Sequence, residues 1–163
     1  MFSIFFIFKV KDRKMKIDGI DKKIIRSLVK DARIPILTIA REVGISGAAI
    51  HQRLRKLEKA KLIHGYHMKI NHSSIGYDTT SFVGIHLEPV AVLSSIIKRL
   101  KEIPEVLESH YTTGDYSIFI KIMCKNNQDL IRILETKIQQ IKGVSKIETF
   151  ISLEQQIDRQ IHI

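Results

Sequence analysis

The chain has 163 residues, of which 44% are hydrophobic and 27% charged, a globular composition that excludes a disordered or membrane-embedded protein. Its net charge is +10, and residues 1–67 carry all of it: they hold 16 Lys and Arg against 6 Asp and Glu, while residues 68–163 hold 11 against 11. A cationic half beside a neutral half predicts two modules, one of which binds a polyanion such as double-stranded DNA.

The chain begins with a short apolar run, MFSIFFIF. It is too short to cross a bilayer, no positive region precedes it and no cleavage motif follows it. We interpret residues 1–14 as an extension outside the folded core, with an added edge strand as the alternative. The single cysteine, Cys124, excludes an internal disulfide and fits a small apolar residue of the core or of an interface. We expect a cytoplasmic protein with no membrane partner.

Residues 15–64 predict a winged helix-turn-helix domain. Asp18 and Asp21 have the spacing of a helix N-cap and an acidic partner, and apolar residues then recur at helical spacing. Pro35 suits the first turn of a second helix, which Gly44 ends in a left-handed conformation. Two short helices joined by a tight turn are typical of DNA-binding domains.

The third helix, capped by Ser46, is predicted to read DNA. Ile50, Leu54 and Leu57 recur at i, i+4 and i+7 and point inward, which leaves small and polar residues facing out. Small residues let a helix approach base edges, Gln bonds adenine and Arg bonds guanine. The predicted base-reading residues are Ser46, Gly47, Ala48, His51, Gln52 and Arg55. The predicted phosphate contacts are Arg33, Thr38, Arg41, Arg53, Lys56, Lys59 and Lys61. Each cation taken alone also fits an ordinary surface position. Taken together, the charge, the residue spacing and the turn residues all indicate a DNA-binding surface.

A linker is predicted at residues 65–78. The run HGYHMKI at 64–70 alternates loosely and indicates an extended wing or linker strand. His64, His67 and His72 cluster there. A metal site needs three or four converging ligands, and neither a second cysteine nor an acidic partner is near, so no metal is predicted.

Residues 79–163 predict a second domain, because the apolar period alternates between that of strands and that of helices. In order, the elements are a strand at 79–87, a helix ending at Pro104, strands at 106–113 and 116–124 joined at Gly114 and Asp115, a helix before Gly143 and a strand at 144–153. The order βαββαβ is that of a ferredoxin-like sandwich, an antiparallel sheet with both helices on one face. The predicted fold class is therefore α+β.

Neither face of this sheet is simply polar. Ile118, Ile120 and Ile122 point to one side of a strand, and Phe119 and Met123 point to the other. Two helices cover only one face, so we expect the other to pair with a second copy of the chain. A symmetric dimer would present two recognition helices to a pseudo-palindromic site.

Four runs, from about Ile17 to Leu153, resemble the Lrp/AsnC, or feast/famine, transcriptional regulators. They are IDGIDKKIIRSLVKDAR, LTIAREVGIS, RLRKLEKAKLIHGY and TTGDYS. The resemblance implies a winged helix-turn-helix followed by a RAM-type, ligand-responsive domain, and homodimers that can assemble into octamers. It implies an amino acid as effector, with no catalytic residue and no other cofactor.

The resemblance also implies an effector site at the TTGDYS turn, through Thr113, Gly114, Asp115, Tyr116 and Ser117. Family members commonly read Gly-Asp-Tyr-Asp, and the last acid lies where the amino group of an effector can be met. Ser117 replaces that acid without its charge, so Asp115 substitutes, the effector differs, or the protein senses none. Gly114 also fits a turn residue without a ligand role. A second departure is Lys61, where glycine is usual, and we expect it to alter the exit of the recognition helix.

Two other functions remain open. A DNA-architectural protein without a metabolite is expected if Ser117 abolishes the pocket. An enzyme is the other alternative, because a tetrapyrrole decarboxylase branch shares the two-part architecture, with His86 and His110 as candidate acids or ligands. No paired carboxylates, Ser/His/Asp set or Cys/His pair occurs at a suggestive spacing, so no enzyme is predicted.

Overall fold

The computed structural model describes residues 15–89, 91–161 and 163, and the chain divides into two compact units. The first unit extends to Lys69 and the second is Ile70–Asp158. None of the helices formed by the described residues has the length and apolar character that a bilayer crossing requires. Residues 1–14, for which we expect either an extension or an added edge strand, lie outside the described residues.

The last five residues, Arg159–Ile163, group with the first unit. From the sequence we expect these residues in the second domain, because they follow its last strand. In the structure the Arg26 side chain donates a hydrogen bond to the backbone carbonyl of Ile163. Arg26 lies in the first helix, so the chain returns to the unit in which it began.

Three helices form the first unit: α1 (Gly19–Lys30), α2 (Ile36–Val43) and α3 (Gly47–Lys59). Asp18 and Asp21 form a capping box, in which each side chain accepts from the backbone amide of the other, at 2.7 and 3.2 Å. Gly44 ends α2 with φ 78°, and the Ser46 hydroxyl accepts from the Ala49 amide at 3.2 Å. The predicted caps are confirmed. The sequence predicts them correctly because each cap depends on residues only a few positions away.

These helices bury one apolar core. Ile24, Ile39 and Ile50, one from each helix, are fully buried, with Ala40 and Leu54 beside them. Burying each large side chain contributes roughly 1.5–3 kcal/mol. The core therefore holds one side of α3 inward and leaves its opposite side in solvent.

Residues 64–70, for which the sequence predicts a wing or linker strand, belong to no helix or strand in this single chain. An extended segment becomes a strand only when a neighbour shares its hydrogen-bond ladder, and the sheet formed by the described residues consists of four other strands. A 3₁₀ turn at Ser73–Ile75 then leads into the second unit.

The second unit has the predicted order βαββαβ. Its elements are β1 (Thr79–Leu87), α4 (Leu93–Lys101), β2 (Val106–Tyr111), β3 (Ile118–Cys124), α5 (Asn127–Ile133) and β4 (Val144–Ile151). The strands form one antiparallel sheet in the order β2-β3-β1-β4, which is the ferredoxin-like arrangement. β2 ends two residues earlier than predicted and β3 begins two residues later. Residues 112–117 between them form a wider loop than the predicted turn.

One face of the sheet and the two helices enclose the core of this unit. Val83 and Ile85 of β1 are fully buried with the isoleucines of β3, and Ile96 of α4 and Ile133 of α5 lie in the same cluster. Cys124 ends β3 inside this core, where burial raises the pKa of its thiol to about 11. The cysteine is therefore an apolar core residue, as predicted.

The opposite side of the sheet, which we name the open face, carries the alternate residues of the strands. It consists of Phe82, Gly84, His86, Phe119, Lys121, Met123, Lys146, Glu148 and Phe150. The rings of Phe82 and Phe119 stack with centroids 5.9 Å apart, and Phe150 is 48% exposed. The open face therefore combines an aromatic patch with charged residues, and the prediction that neither face is simply polar is confirmed.

Helix α5 departs from a regular helix at its C-terminal end. It continues into a π-helical turn, Leu134–Ile138, closed by a hydrogen bond from the Gln139 amide to the Leu134 carbonyl at 2.9 Å. The wider turn brings Ile133 and Ile138, five residues apart, into one core. The sequence predicts an uninterrupted helix here, because one extra residue leaves the apolar spacing nearly helical.

Candidate nucleic-acid interface

The outer side of α3 is a polar, cationic surface. Ile50, Leu54 and Leu57 are buried, so the opposite side of the helix faces solvent. A broad depression of about 920 Å³ runs along it, lined by Met15, Ala48, His51, Gln52, Arg55, Lys56, Lys59 and Ala60. The structure thus brings most of the predicted reading residues together. Met15 is an addition that the sequence analysis missed, because it precedes the first helix signal.

Two of the predicted base-reading residues have local structural roles. A Cβ on Gly47 would lie 3.3 Å from the Leu37 side chain, so glycine lets the start of α3 approach α2 closely. The Ser46 hydroxyl accepts the Ala49 amide and caps α3. Both residues set where the helix begins, which in turn sets how its exposed face is presented.

Arg53 points toward α1. Its Nη1 lies 2.7 Å from Asp18 Oδ2 and 2.7 Å from Asp21 Oδ1, and the Asp21 side chain is only 4% exposed. Asp18 raises the pKa of Arg53, while the Asp21 amide and then Arg53 lower the pKa of Asp18. From the sequence we expect Arg53 to contact a DNA phosphate, but in the structure its charge is already paired with two carboxylates. Arg53 holds α3 against the start of α1.

The other predicted phosphate contacts lie on the surface of the first unit. Arg33 and Arg41 are exposed, and Thr38 is half-buried in α2. The Asp31 side chain accepts from the Arg33 amide at 2.8 Å, which fixes the backbone before α2. Lys56 and Lys59 are exposed along the last turns of α3.

Lys61 follows α3 in a left-handed conformation with φ 55°, and no other non-glycine residue in the described part of the chain has a positive φ. Its amide donates to the Glu58 carbonyl at 2.9 Å, and the Leu62 amide donates to the Leu57 carbonyl at 3.0 Å. These bonds close the helix as a C-terminal glycine would. The prediction that Lys61 alters the helix exit is therefore wrong. The lysine adopts the glycine conformation, at a cost of about 1–2 kcal/mol.

In the second unit, the loop at residues 112–117 joins β2 to β3. The Thr112 amide donates to the Ser117 carbonyl at 3.1 Å, and the Ser117 amide donates to the Ile85 carbonyl at 3.0 Å. Gly114 has φ 116°, which other residues rarely adopt. The exposed tip consists of Thr113, Gly114 and Asp115, and Ser117 is half-buried. One carboxylate therefore lies at the tip of the loop.

Tyr116, in the same loop, lies on the open face. Its hydroxyl donates to Glu148 Oε2 at 3.0 Å, and its ring centroid is 5.9 Å from that of Phe119 and 6.2 Å from that of Phe150. The hydrogen bond to Glu148 raises the pKa of the phenol. Lys146, followed by Tyr116, lowers the pKa of Glu148. The Tyr116 side chain thus contacts the sheet.

Glu148 and Gly84 complete this arrangement, and the sequence analysis missed both. A Cβ on Gly84 would lie 2.4 Å from the Tyr116 ring, so only glycine leaves room for it. The alternation of β4 indicates that Lys146, Glu148 and Phe150 share a face. The position of Glu148 opposite Gly84 depends on the pairing of β4 with β1, which no local pattern reveals.

The histidines considered as catalytic candidates each have a carboxylate neighbour. His86 Nε2 lies 3.5 Å from Glu148 Oε1, and His110 Nε2 lies 3.6 Å from Glu108 Oε2. Within residues 15–89, 91–161 and 163, no three His, Cys, Asp or Glu side chains converge to hold a metal ion. These contacts are structural pairs on the sheet.

Two family models match the chain, and they divide it as the fold does. The AsnC-type helix-turn-helix domain matches residues 17–58, which contain α1, α2 and all but the last residue of α3. The Lrp/AsnC ligand binding domain matches residues 80–161, which contain the two helices and all of the sheet except the first residue of β1.

Individual proteins match over nearly their whole length. The Regulatory protein AsnC of Haemophilus influenzae is 41% identical over 145 residues, 89% of this chain and 97% of its own. The HTH-type transcriptional regulator LrpA of Pyrococcus horikoshii is 37% identical over 138 residues, 85% of this chain and 97% of its own. The structure of E. coli AsnC has a TM-score of 0.87 at 36% identity, with 91% of this chain and all of that chain covered. The transcriptional regulator NMB0573 of Neisseria meningitidis, solved as a complex with L-Met, has the same fold: TM-score 0.84, 17% identity, 88% and 94% coverage.

Proposed function

Because the chain belongs to the Lrp/AsnC family of transcriptional regulators, we propose that α3 reads operator DNA and that an amino acid bound by the second unit modulates this binding. The observation that carries the proposal is the exposed cationic face of α3, held outward by a buried apolar face. The homologous proteins are transcriptional regulators rather than enzymes, so the enzyme alternative is set aside.

The proposed base contacts are four exposed residues of α3. Ala48 lies in the first turn, where a small side chain lets the helix enter the major groove. Gln52 matches the donor and acceptor of adenine, Arg55 matches the two acceptors of guanine, and His51 lies beside them. Ser46 and Gly47 act by fixing the start of the helix.

The proposed phosphate contacts surround this face. They are Arg33, Thr38, Arg41, Lys56, Lys59 and Lys61, without Arg53, whose charge is already paired. Contacts of this kind position a protein on the duplex without reading its sequence, and they release counterions. We therefore expect affinity to fall with a slope of about −0.9 in log[salt] for each phosphate neutralised.

We assign the effector to the loop at residues 112–117, within the region that matches a ligand-binding domain. An amino acid brings an ammonium group, which needs a carboxylate when it leaves water. Asp115 at the loop tip supplies one, and Thr113, Gly114 and Ser117 supply hydroxyl and backbone groups. A DNA-architectural function stays the alternative, and DNA binding that no amino acid alters would support it.

We further propose that two chains pair through their open faces. Phe82, Phe119 and Phe150 form an apolar patch there, of a kind that soluble monomers rarely leave uncovered. A two-fold dimer carries two copies of α3 and so suits a pseudo-palindromic operator. Assembly of four such dimers into an octamer is a further expectation from the family resemblance.

Substitution of Arg55 tests the DNA proposal. We expect Arg55→Ala to weaken binding to the upstream DNA of the gene by about tenfold, since a bidentate contact to guanine contributes about 1–3 kcal/mol. Binding to a scrambled duplex should weaken less. Fluorescence anisotropy near physiological salt measures both.

The matched control is Lys142→Ala, which removes a positive charge from an exposed position of the second unit. It should bind both duplexes like the wild type. Equal losses in the two variants, or no loss in Arg55→Ala, would contradict the assignment of α3 as the reading element.

A further inference from the structure

Tyr116 is part of both the 112–117 loop and the open face. Its backbone is part of the 112–117 loop, and its ring and hydroxyl belong to the open face. We propose that Tyr116 is the positioning residue that anchors this loop to the open face, so that an effector held by the loop alters the face on which dimerisation depends. This inference rests on the proposed effector role of the loop.

The ring is seated in a space that the sheet leaves for it. Glycine at position 84 provides this space, because a Cβ there would lie 2.4 to 2.6 Å from three atoms of the Tyr116 ring. His86 approaches from the side, with centroids 5.2 Å apart in an edge-on arrangement, and Phe119 and Phe150 lie at 5.9 and 6.2 Å. The ring therefore contacts β1, β3 and β4.

The hydroxyl is held by a charged partner. Glu148 accepts from Tyr116 at 3.0 Å, and its other oxygen accepts from Lys146 Nζ at 2.7 Å, with His86 Nε2 3.5 Å away. A hydrogen bond to an ionised carboxylate is stronger than one between neutral groups. Glu148 is thereby fixed on β4 from more than one side and offers a rigid acceptor to the loop.

Hydrogen bonds that involve the backbone also hold the loop residues on either side of Tyr116. The Thr112 hydroxyl donates to the Tyr116 carbonyl at 2.5 Å, and the Ser117 amide donates to the Ile85 carbonyl at 3.0 Å. A ligand that moves Ser117 or the loop tip must therefore shift the Tyr116 ring against Phe119 and Phe150. Those two rings are part of the apolar patch that a second copy would cover.

Tyr116→Phe tests the anchor, because it removes the hydroxyl and keeps the ring. We expect the amides of Thr112 and Ser117 to exchange hydrogen about tenfold faster, the effect of losing one hydrogen bond to a charged group. The control is Tyr111→Phe, which makes the same chemical change at an exposed tyrosine of β2. It should leave the exchange of both amides unchanged.

A second readout separates positioning from ligand contact. Each of the common L-amino acids is titrated against the protein–DNA complex, and an amino acid that shifts wild-type affinity is then used for all variants. In Tyr116→Phe, calorimetry should show that this amino acid still binds. The ratio of DNA affinity with and without it should fall toward one. Loss of amino-acid binding would make Tyr116 a ligand contact and overturn the proposal.

Gly84→Ala provides an independent way to release the loop from the open face, since its methyl group displaces the Tyr116 ring while the tyrosine is kept. The loop amides should again exchange faster, with the variant's fold checked by circular dichroism. Wild-type exchange in both variants would overturn the anchor. If no amino acid shifts wild-type DNA binding, the effector proposal fails, and the exchange experiment alone decides whether Tyr116 anchors the loop.

Discussion

Lys61 has a backbone conformation that costs a lysine free energy and costs a glycine almost none. It closes α3 with the hydrogen bonds of a glycine C-cap, and its side chain is exposed next to the proposed reading face. Strained residues persist where something outside local stability retains them. A phosphate contact by the ammonium group is the function that this position supports.

Lys61→Gly should therefore stabilise the protein and weaken its binding to DNA. Relief of the left-handed strain, partly offset by the greater freedom of glycine in the unfolded chain, predicts a rise of about 0.5–1 kcal/mol in the free energy of unfolding. Urea denaturation measures this. The salt slope of DNA binding should decrease by about 0.9.

Lys59→Gly is the matched control, because the same substitution two residues earlier falls inside α3. There glycine should destabilise by about 0.5–1 kcal/mol. Destabilisation of the same sign and size in both variants would refute the strain argument for Lys61.

At the scale of the elements, the ion pairs of Arg53 with Asp18 and Asp21 connect the middle of α3 to the start of α1. The two carboxylates also form the capping box of α1, so a single cluster both begins α1 and orients α3. Asp21 is almost completely buried, and loss of Arg53 would leave its carboxylate without a cation.

Arg53→Ala should lower the melting temperature by several degrees, whereas Arg55→Ala, on the exposed side of the same helix, should leave it unchanged. The pKa of Asp18 is held below its ordinary value of about 4. A carboxylate whose pKa is depressed by folding stabilises the protein above that ordinary value, and this stability is lost as pH falls through the folded pKa. Thermal melts between neutral and strongly acidic pH should therefore show a smaller loss of stability below about pH 4 in Arg53→Ala. Parallel pH profiles would contradict this account of the cluster.

Which elements the sequence predicts depends on how local their causes are. The cap at Asp18, the left-handed end at Gly44 and the alternation in β3 involve residues within a few positions, and all three are confirmed. The π-helical turn in α5 is missed, because it is set by packing in the core. The Arg53 cluster is missed for a related reason: its acids lie more than thirty residues away, and a surface arginine looks the same in sequence whether it is paired or exposed.

For the molecule as a whole, the division of charge and the division of fold coincide. The cationic half forms the helical unit, and the neutral half forms the sheet unit with an uncovered aromatic patch. One unit alone presents a single recognition helix, whose affinity for DNA is limited. Pairing of two chains would convert the second half-site contact into an intramolecular event.

Phe119→Glu should separate the proposed dimer, because it places a charge in the centre of the open face. We expect sedimentation velocity to give a dimer for the wild type and a single chain for the variant. Affinity for a palindromic operator should fall about 100-fold, the loss expected when two linked contacts become one. Gln128→Glu adds the same charge at an exposed position of α5 and should remain dimeric. A dimeric Phe119→Glu would show that another surface pairs the chains.

The burial of Cys124 has a practical consequence for following these changes in solution. It is the only cysteine of the chain, it is fully enclosed, and its thiol is protonated at neutral pH. Thiol-directed dyes and spin labels should therefore leave the native protein unmodified. A cysteine introduced at an exposed position such as Gln128 or Lys142 would carry the only label on each chain, so the distance between the two labels of a dimer could be measured with the native cysteine left in place.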